Sequence, residues 1–116
     1  MNALAQRQLA QWRRAMTEAE WQRTVEELLD RGGWDWIHIR NARRQHVVGF
    51  PDLFACRGER AIALELKTAR GKVTPEQARW LGLLTEAGVT CYVWRPGDVD
   101  TAIKVLLGGP SAGSGQ

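Results

Sequence analysis

The sequence predicts a single α/β domain in which a small mixed β-sheet is flanked by helices. The chain has 116 residues, enough for one hydrophobic core and too few for a second. Its apolar residues recur with helical or strand periodicity in the order helix, three strands, helix, strand, helix. The first three strands suit an antiparallel meander, and the last strand suits a parallel return through a helical crossover.

The first predicted helix begins at a capping box. Residues 1–16, which precede it, are weakly helical and basic, so we expect either an arm or a short helix there. Thr17 is the N-cap and Glu20 occupies the third helical position. An apolar stripe and a terminating glycine pair follow. The stripe consists of Trp21, Val25, Leu28 and Leu29. The two glycines that end the helix are Gly32 and Gly33.

Three strand-like segments come next. Residues 34–40, WDWIHIR, place side chains alternately on two faces, and residues 41–50 form a polar, basic connection. Residues 52–56 and 61–67 have strand-like composition and flank the turn at residues 57–60, RGER. These three strands form the predicted meander.

The remaining elements are a helix, a strand and a final helix. Thr74, Pro75 and Gln77 are the N-cap, first residue and third position of a second capping box. We expect that helix to turn three residues inward and to end before Gly88, with a buried strand, a turn, a helix and a flexible tail after it. The inward residues are Ala78, Leu81 and Leu84. The strand is predicted at residues 89–94, the turn at Pro96 and Gly97, the helix at residues 98–107 and the tail at residues 108–116.

Composition narrows the class of protein without revealing its activity. With 44% hydrophobic and 25% charged residues, the chain is typical of a globular protein. A net charge of +3 is compatible with a nucleic-acid partner but is not diagnostic of one. Cys56 and Cys91 lack zinc-site spacing, so we expect buried thiols in a reducing cytoplasm, with a disulfide as the alternative. No apolar run approaches the roughly 20 residues of a membrane span, so neither a span nor a signal peptide is expected.

Two acidic residues and a lysine stand out on the predicted hairpin. A four-residue turn places Cys56 opposite Ala61, and the same register then brings Asp52 opposite Glu65. Directly opposed residues have Cβ atoms about 4.5–5.5 Å apart. Because side chains alternate along a strand, Lys67 projects from the same face. The pattern therefore predicts a cluster of two carboxylates and one ammonium group.

Such a cluster has two interpretations. Carboxylate oxygens are ligands for a hard divalent cation such as Mg²⁺, and Lys67 beside the cation is suited to orient an attacking water and to neutralise a phosphate. Alternatively, Glu65 and Lys67 form a charge pair at the end of a strand, and Asp52 caps a turn.

Four sequence blocks in order resemble the VRR-NUC (virus-type replication-repair nuclease) family, a branch of the PD-(D/E)xK nucleases. They are TEAEWQ, GFPDLF, ELKTARGKVTPEQARWL and GVTCYVWRPGD, within residues 17–103. The chain is similar to the compact stand-alone form typical of bacteriophages. The resemblance implies a restriction-endonuclease-like core, with the nuclease domain at residues 17–107, and a Mg²⁺- or Mn²⁺-dependent endonuclease.

The resemblance also implies roles for individual residues. Asp52 and Glu65 would bind the cation together with the main-chain carbonyl of Leu66, and Lys67 would be the catalytic lysine. Glu20 matches the family's acidic residue on the first helix, which would reach the cation directly or through water, and Gln77 matches a glutamine near the site, although a capping box alone explains both residues. The rival acidic residues on the first helix are Glu26 and Glu27.

The expected substrate is DNA, held by two basic loops that border the cluster. Such loops bind phosphates without reading bases. Their residues are Arg40, Arg43, Arg44 and His46 before Asp52, and Arg70 and Lys72 after Lys67. The resemblance implies a homodimer acting on branched DNA such as four-way junctions, in the cytoplasm of a bacterial or phage-infected cell. Leu9, Trp12 and Met16 form a candidate exposed stripe for that interface. The alternatives are a non-catalytic nucleic-acid-binding module on the same fold and a metal-free structural domain.

Overall fold

The computed structural model describes residues 2–39 and 48–109 of the chain. Within these ranges four strands form one sheet, and four helices accompany it. Their bounds are α1 Ala3–Ala15, α2 Glu18–Arg31, β1 Asp35–His38, β2 Leu53–Arg57, β3 Arg60–Leu66, α3 Pro75–Glu86, β4 Thr90–Trp94 and α4 Val99–Leu107, with a 3₁₀ turn at Pro96–Asp98. The strand order is β1-β2-β3-β4, antiparallel for the first two pairs and parallel for β3 and β4. The predicted α/β class and mixed sheet are confirmed.

The hairpin between β2 and β3 has the register predicted from its turn length. Cys56 pairs with Ala61, and the ladder continues to Leu53 opposite Leu64. Gly58, at a φ of +60°, lies in the tight turn, where an L side chain would be strained. One step beyond the ladder stand Asp52 and Glu65, which sequence alternation places on one face.

The core lies on one side of this sheet, beneath α2 and α4. Trp21, Val25 and Leu29 of α2 are fully buried and Leu28 is partly buried, so the predicted stripe is confirmed. The sheet contributes its alternate residues to the same cluster, namely Leu53, Ala55, Ile62, Leu64 and Leu66. Two buried tryptophans each have a carbonyl partner for the indole N–H: Trp21 donates to the carbonyl of Trp94, and Trp34 donates to the carbonyl of Leu106. The intervening residues of β3, including Glu65, therefore face the opposite side, where α3 lies.

Several burial predictions are wrong, and they concern the end of β2, the edge strand β4 and helix α3. Both cysteines are free thiols, but Cys56 is exposed and Cys91 is half-buried, so the expectation that both are buried is wrong. Cys56 lies beside the hairpin turn on the face away from the core, and Cys91 lies on β4. Because β4 is an edge strand, only Trp94 on it is fully buried. Ala78, predicted to point inward, is exposed on α3.

The N-terminal segment forms a helix instead of an extended arm. Asn2 caps α1, its side-chain oxygen accepting a hydrogen bond from the backbone N–H of Ala5. Leu9 and Trp12 are exposed as expected, but Met16 is buried in the core, so the predicted stripe is shorter. Among the described residues, none of the helices combines the length and the apolar character needed to span a membrane.

Candidate active site

Asp52 is fixed at the start of β2 by contacts on both sides. It follows Pro51, which is buried. Its backbone carbonyl accepts a hydrogen bond of 2.8 Å from the N–H of Ile39 beyond β1. Its carboxylate Oδ2 accepts a second bond of 2.8 Å from the backbone N–H of Leu66 on β3. The Asp52 carboxylate therefore lies across the end of β3, beside Glu65.

Among the described residues, Glu65 is the one charged residue that is buried, with 1% of its surface exposed. Its Oε2 accepts a hydrogen bond of 3.1 Å from the amide of Gln77 and lies 3.4 Å from the ammonium group of Lys67. Its Oε1 is buried without a hydrogen-bond partner. We refer to Asp52 and Glu65 as the acidic pair.

The environment of the acidic pair disfavours two negative charges. Burial raises the pKa of Glu65 to about 8, and the charge of Asp52 adds to the rise. Lys67 acts in the opposite direction, but its one positive charge does not offset burial and repulsion together. Near neutral pH the metal-free pair therefore holds a proton.

The donor set of the acidic pair fits a hard divalent cation. An unpaired buried carboxylate oxygen is costly, and a cation beside it would satisfy that oxygen and remove the repulsion between the two carboxylates. Among residues 2–39 and 48–109 no group of three or more His, Cys, Asp or Glu side chains suits a metal, so the acidic pair would supply two ligands. Mg²⁺ commonly binds through one or two carboxylates and keeps several waters, which matches such a pair.

Gln77 performs the two roles that the sequence left as alternatives. Its side-chain oxygen accepts a bond of 2.9 Å from the N–H of Thr74, and its own N–H donates to the Thr74 hydroxyl at 3.1 Å. This capping box orients the first turn of α3. The remaining side-chain donor, the amide nitrogen, then reaches Glu65. One residue thus starts the helix and holds the buried carboxylate.

The acidic residues of α2 are not brought together with the acidic pair. Glu20 is exposed, and its carboxylate accepts a bond of 2.8 Å from the N–H of Thr17 in the predicted capping box. That bond lowers the pKa of Glu20. Glu20 and Glu27 line an open hollow of about 490 Å³ between α1 and α2, and Glu26 accepts a hydrogen bond from Gln22. None of the three forms a metal-binding group with the acidic pair among the described residues.

The two predicted basic loops differ in what the structure describes. Arg70 and Lys72 are exposed on the loop that connects β3 to α3. The residues predicted on the other loop lie outside the described ranges, and they are Arg40, Arg43, Arg44 and His46. Of the two predicted basic loops, the structure therefore describes only the one that follows Lys67.

Arg95 shapes that loop, and the sequence reasoning missed it. Its guanidinium donates to the carbonyl of Thr68 at 2.8 Å and also to the carbonyl of Gly71. Gly71 in turn donates its N–H to the Thr68 hydroxyl at 3.1 Å. Arg95 follows β4, 24 residues after Gly71, so only the parallel pairing of β3 and β4 brings it near the loop. Its position after an apolar strand carries no sign of this role.

Comparison with known families gives one match. The family model of the VRR-NUC domain matches residues 2–96 of the chain. The matched region contains the first three helices, the whole sheet and the acidic pair with Lys67 and Gln77. Comparisons with curated proteins and with solved structures gave no match.

Proposed function

The chain belongs to the VRR-NUC domain family, and on that premise we propose that it is a metal-dependent endonuclease that hydrolyses phosphodiester bonds of DNA at the acidic pair. Membership gives a nuclease-type function in DNA processing. The observation that carries the finer proposal is the buried, unpaired Oε1 of Glu65 beside Asp52, with Lys67 on the same carboxylate. A buried carboxylate beside a second negative charge destabilises a fold when no cation is bound, so a cation-binding role accounts for this arrangement of Glu65 and Asp52.

Mg²⁺ or Mn²⁺ is the proposed cofactor, held by Asp52, Glu65 and the main-chain carbonyl of Leu66. When bound, such a cation supplies a Lewis acid for the phosphoryl oxygen and lowers the pKa of a water molecule. The protein contributes orientation: the N–H of Leu66 fixes one oxygen of Asp52, and Gln77 fixes one oxygen of Glu65. The second oxygen of Glu65 is thereby left available to the cation.

Lys67 is the proposed catalytic side chain. Its ammonium group lies 3.4 Å from Glu65 Oε2, at the end of β3 on the face of the acidic pair. From there it would hold the attacking water in line with the bond to be broken and offset negative charge on the phosphate. The water oxygen forms a bond to phosphorus as a bridging P–O bond breaks, and the displaced oxygen leaves as the alcohol of one DNA end.

DNA is proposed to be held through its backbone. Arg70 and Lys72 are exposed on a loop that leaves the catalytic strand, which suits contacts to phosphates beside the scissile one. Arg95 supports these contacts because it fixes the shape of the loop. We extend the proposal to the four arginine and histidine residues of the preceding basic segment.

A two-fold homodimer acting on branched DNA, such as a four-way junction, completes the proposal. Two identical sites related by a two-fold axis are suited to cutting two strands. Leu9 and Trp12 on α1 are exposed apolar side chains that favour such an interface. Light scattering at several protein concentrations tests the dimer, and a strictly monomeric protein would contradict this part.

Cleavage of labelled DNA tests the activity. A linear duplex and a four-way junction are incubated with Mn²⁺ and the wild type, Lys67→Ala, or Lys104→Ala as a control on the exposed side of α4. We expect the wild type and Lys104→Ala to cleave and Lys67→Ala to cleave about 10²-fold or more slowly while still binding DNA. Equal cleavage by all three would refute the role of Lys67. Binding without cleavage by the wild type would indicate a non-catalytic module.

A further inference from the structure

The segment that leads into Asp52 lies directly against the first turn of α3. Gly49 has a φ of +86°, a conformation that L side chains rarely adopt. A Cβ atom added at Gly49 would lie 2.5 Å from the carbonyl carbon of Glu76 and 2.7 Å from the backbone nitrogen of Gln77. These are backbone atoms of a capped helix, which cannot move aside as a flexible side chain can. Glycine at this position thus permits the contact.

The next residue strengthens the same contact. The ring of Phe50 packs edge-on against that of Trp80, with centroids 5.1 Å apart and planes at 69°. Such edge-to-face arrangements are favourable beyond the apolar area that they bury. Trp80 lies one helical turn after Gln77, so the aromatic contact and the glycine contact fix the same end of α3.

Gln77 converts this packing into control of the site. Its backbone meets Gly49, and its side-chain amide donates to Glu65 at 3.1 Å. A movement of α3 by about 1 Å would exceed the distance limit of that hydrogen bond. Asp52 lies only two residues after Phe50 and is fixed separately to β3. The contact therefore links the backbone that carries one carboxylate to the amide that orients the other.

We propose that Gly49, Phe50 and Trp80 are positioning residues, whose contact with the start of α3 places Gln77 so that it orients Glu65 for the reaction. The kinetic consequence rests on the proposed nuclease function, whereas the placement of Gln77 does not. Misplacing a catalytic group by about 1 Å costs on the order of 10²-fold in rate. The effect is expected in kcat, because the contacts that these residues make are with each other and with α3.

The placement is tested in the metal-free protein with Gly49→Ala. Its matched control is Gly88→Ala at the other end of α3, where φ is +94° but no atom lies within 4 Å of an added Cβ. Both variants strain a left-handed glycine, but only Gly49→Ala collides with α3. NMR resonances of the Gln77 side-chain amide provide the measurement. We expect them to shift to the values of a solvent-exposed glutamine in Gly49→Ala and to stay unchanged in Gly88→Ala. Unchanged Gln77 resonances in a folded Gly49→Ala would overturn the proposal.

Phe50→Ala and Phe50→Tyr provide a second test that does not strain the backbone. Phe50→Ala should shift the Gln77 resonances and lower kcat about tenfold or more with KM unchanged, and Phe50→Tyr should restore both because it keeps the ring. A merely structural role predicts a lower melting temperature with normal kcat and Gln77 resonances in all variants, and that result would refute positioning. If the wild type cleaves no DNA, the nuclease proposal fails, and the Gln77 resonances still decide the placement.

Discussion

Glu65 determines the behaviour of the site at the scale of single residues. Its carboxylate is buried, one oxygen is held by Gln77 and Lys67, and the other has no partner. Asp52 adds a second negative charge, so the native protein binds a proton here more tightly than the unfolded chain does. The local cost of this arrangement is consistent with a side chain retained for binding a cation rather than for stability.

The raised pKa of Glu65 makes metal-free stability fall as pH rises. The unfolded value is near 4.5 and the folded value is about 8, so between these limits the native state binds more protons than the unfolded state. Stability is then highest at or below the lower limit and declines up to the upper one, by on the order of 5 kcal/mol. Glu65→Gln should remove this decline and melt at a temperature higher than that of the wild type near pH 8, by about 10 °C or more.

Thermal unfolding in the presence of a chelator, from pH 5 to pH 9, measures this effect. Glu86→Gln, at an exposed position on α3, serves as the control and should follow the wild type. Parallel curves for the wild type and Glu65→Gln would contradict the assignment of Glu65 as a buried acid with a raised pKa.

Strand alternation and turn length are enough to group Asp52, Glu65 and Lys67 from the sequence, because both rules are local. The contacts of Gln77 and Arg95 are less accessible. The capping box explains Gln77 completely, and its free amide finds Glu65 only after α3 has packed on the sheet. Arg95 reaches its loop only through the pairing of β3 with β4.

At the scale of elements, the two capping boxes start their helices in the same way but differ in what their third-position side chains contact. Both begin a helix with a threonine and a longer polar side chain three residues later. The glutamine of the α3 box also reaches the acidic pair, whereas the glutamate of the α2 box is held at the cap. Local sequence predicts both helix starts equally well and does not distinguish these environments.

Glu20→Gln separates a capping role from a metal-binding role on α2. Glutamine also completes a capping box, so the helix start is preserved while the charge is removed. Because Glu20 is exposed and not grouped with the acidic pair, we expect Mn²⁺ affinity and DNA cleavage to match the wild type. Calorimetry and the cleavage assay check this. A loss of about tenfold or more in affinity would instead show that α2 supplies a ligand.

Periodicity and capping signals predict where the helices and strands lie. They predict less well which of their residues are buried. Every second residue of β2 and β3, which are central strands, faces the core, in agreement with strand alternation. The burial predictions failed for Cys56, Ala78 and most of β4, because burial there depends on distance from the hairpin turn, on which strand lies at the edge and on how far α3 covers the sheet. That arrangement is a property of the assembled sheet and leaves no local pattern.

Charge placement matters more than total charge at the scale of the whole molecule. A net charge of +3 is small, but Arg70 and Lys72 are exposed on the loop after Lys67. The α2 and α4 side of the sheet carries the apolar core instead. DNA is therefore expected to approach the α3 side, where the acidic pair and this loop lie together.

Salt dependence of DNA binding tests this orientation. The plot of log Kobs against log salt concentration has a negative slope, and each phosphate contact makes it steeper by about 0.9. The double variant Arg70→Ala with Lys72→Ala should therefore have a slope that is shallower by about 2. The double variant Arg31→Ala with Lys104→Ala, on α2 and α4, removes the same charge from the other side and should leave the slope near the wild-type value. Equal reductions in both double variants would show that net charge, and not the loop, sets binding.

Titration of Mn²⁺ into the metal-free protein by calorimetry tests the central claim, that the acidic pair is a metal site, most directly. The wild type is compared with Asp52→Asn and with Asp100→Asn, an exposed aspartate on α4. Loss of one of two carboxylate ligands should weaken binding by about tenfold or more, whereas the control should bind as the wild type does. Saturable binding that only Asp52→Asn loses is the predicted result. No binding by the wild type, or equal binding by all three proteins, would contradict the account.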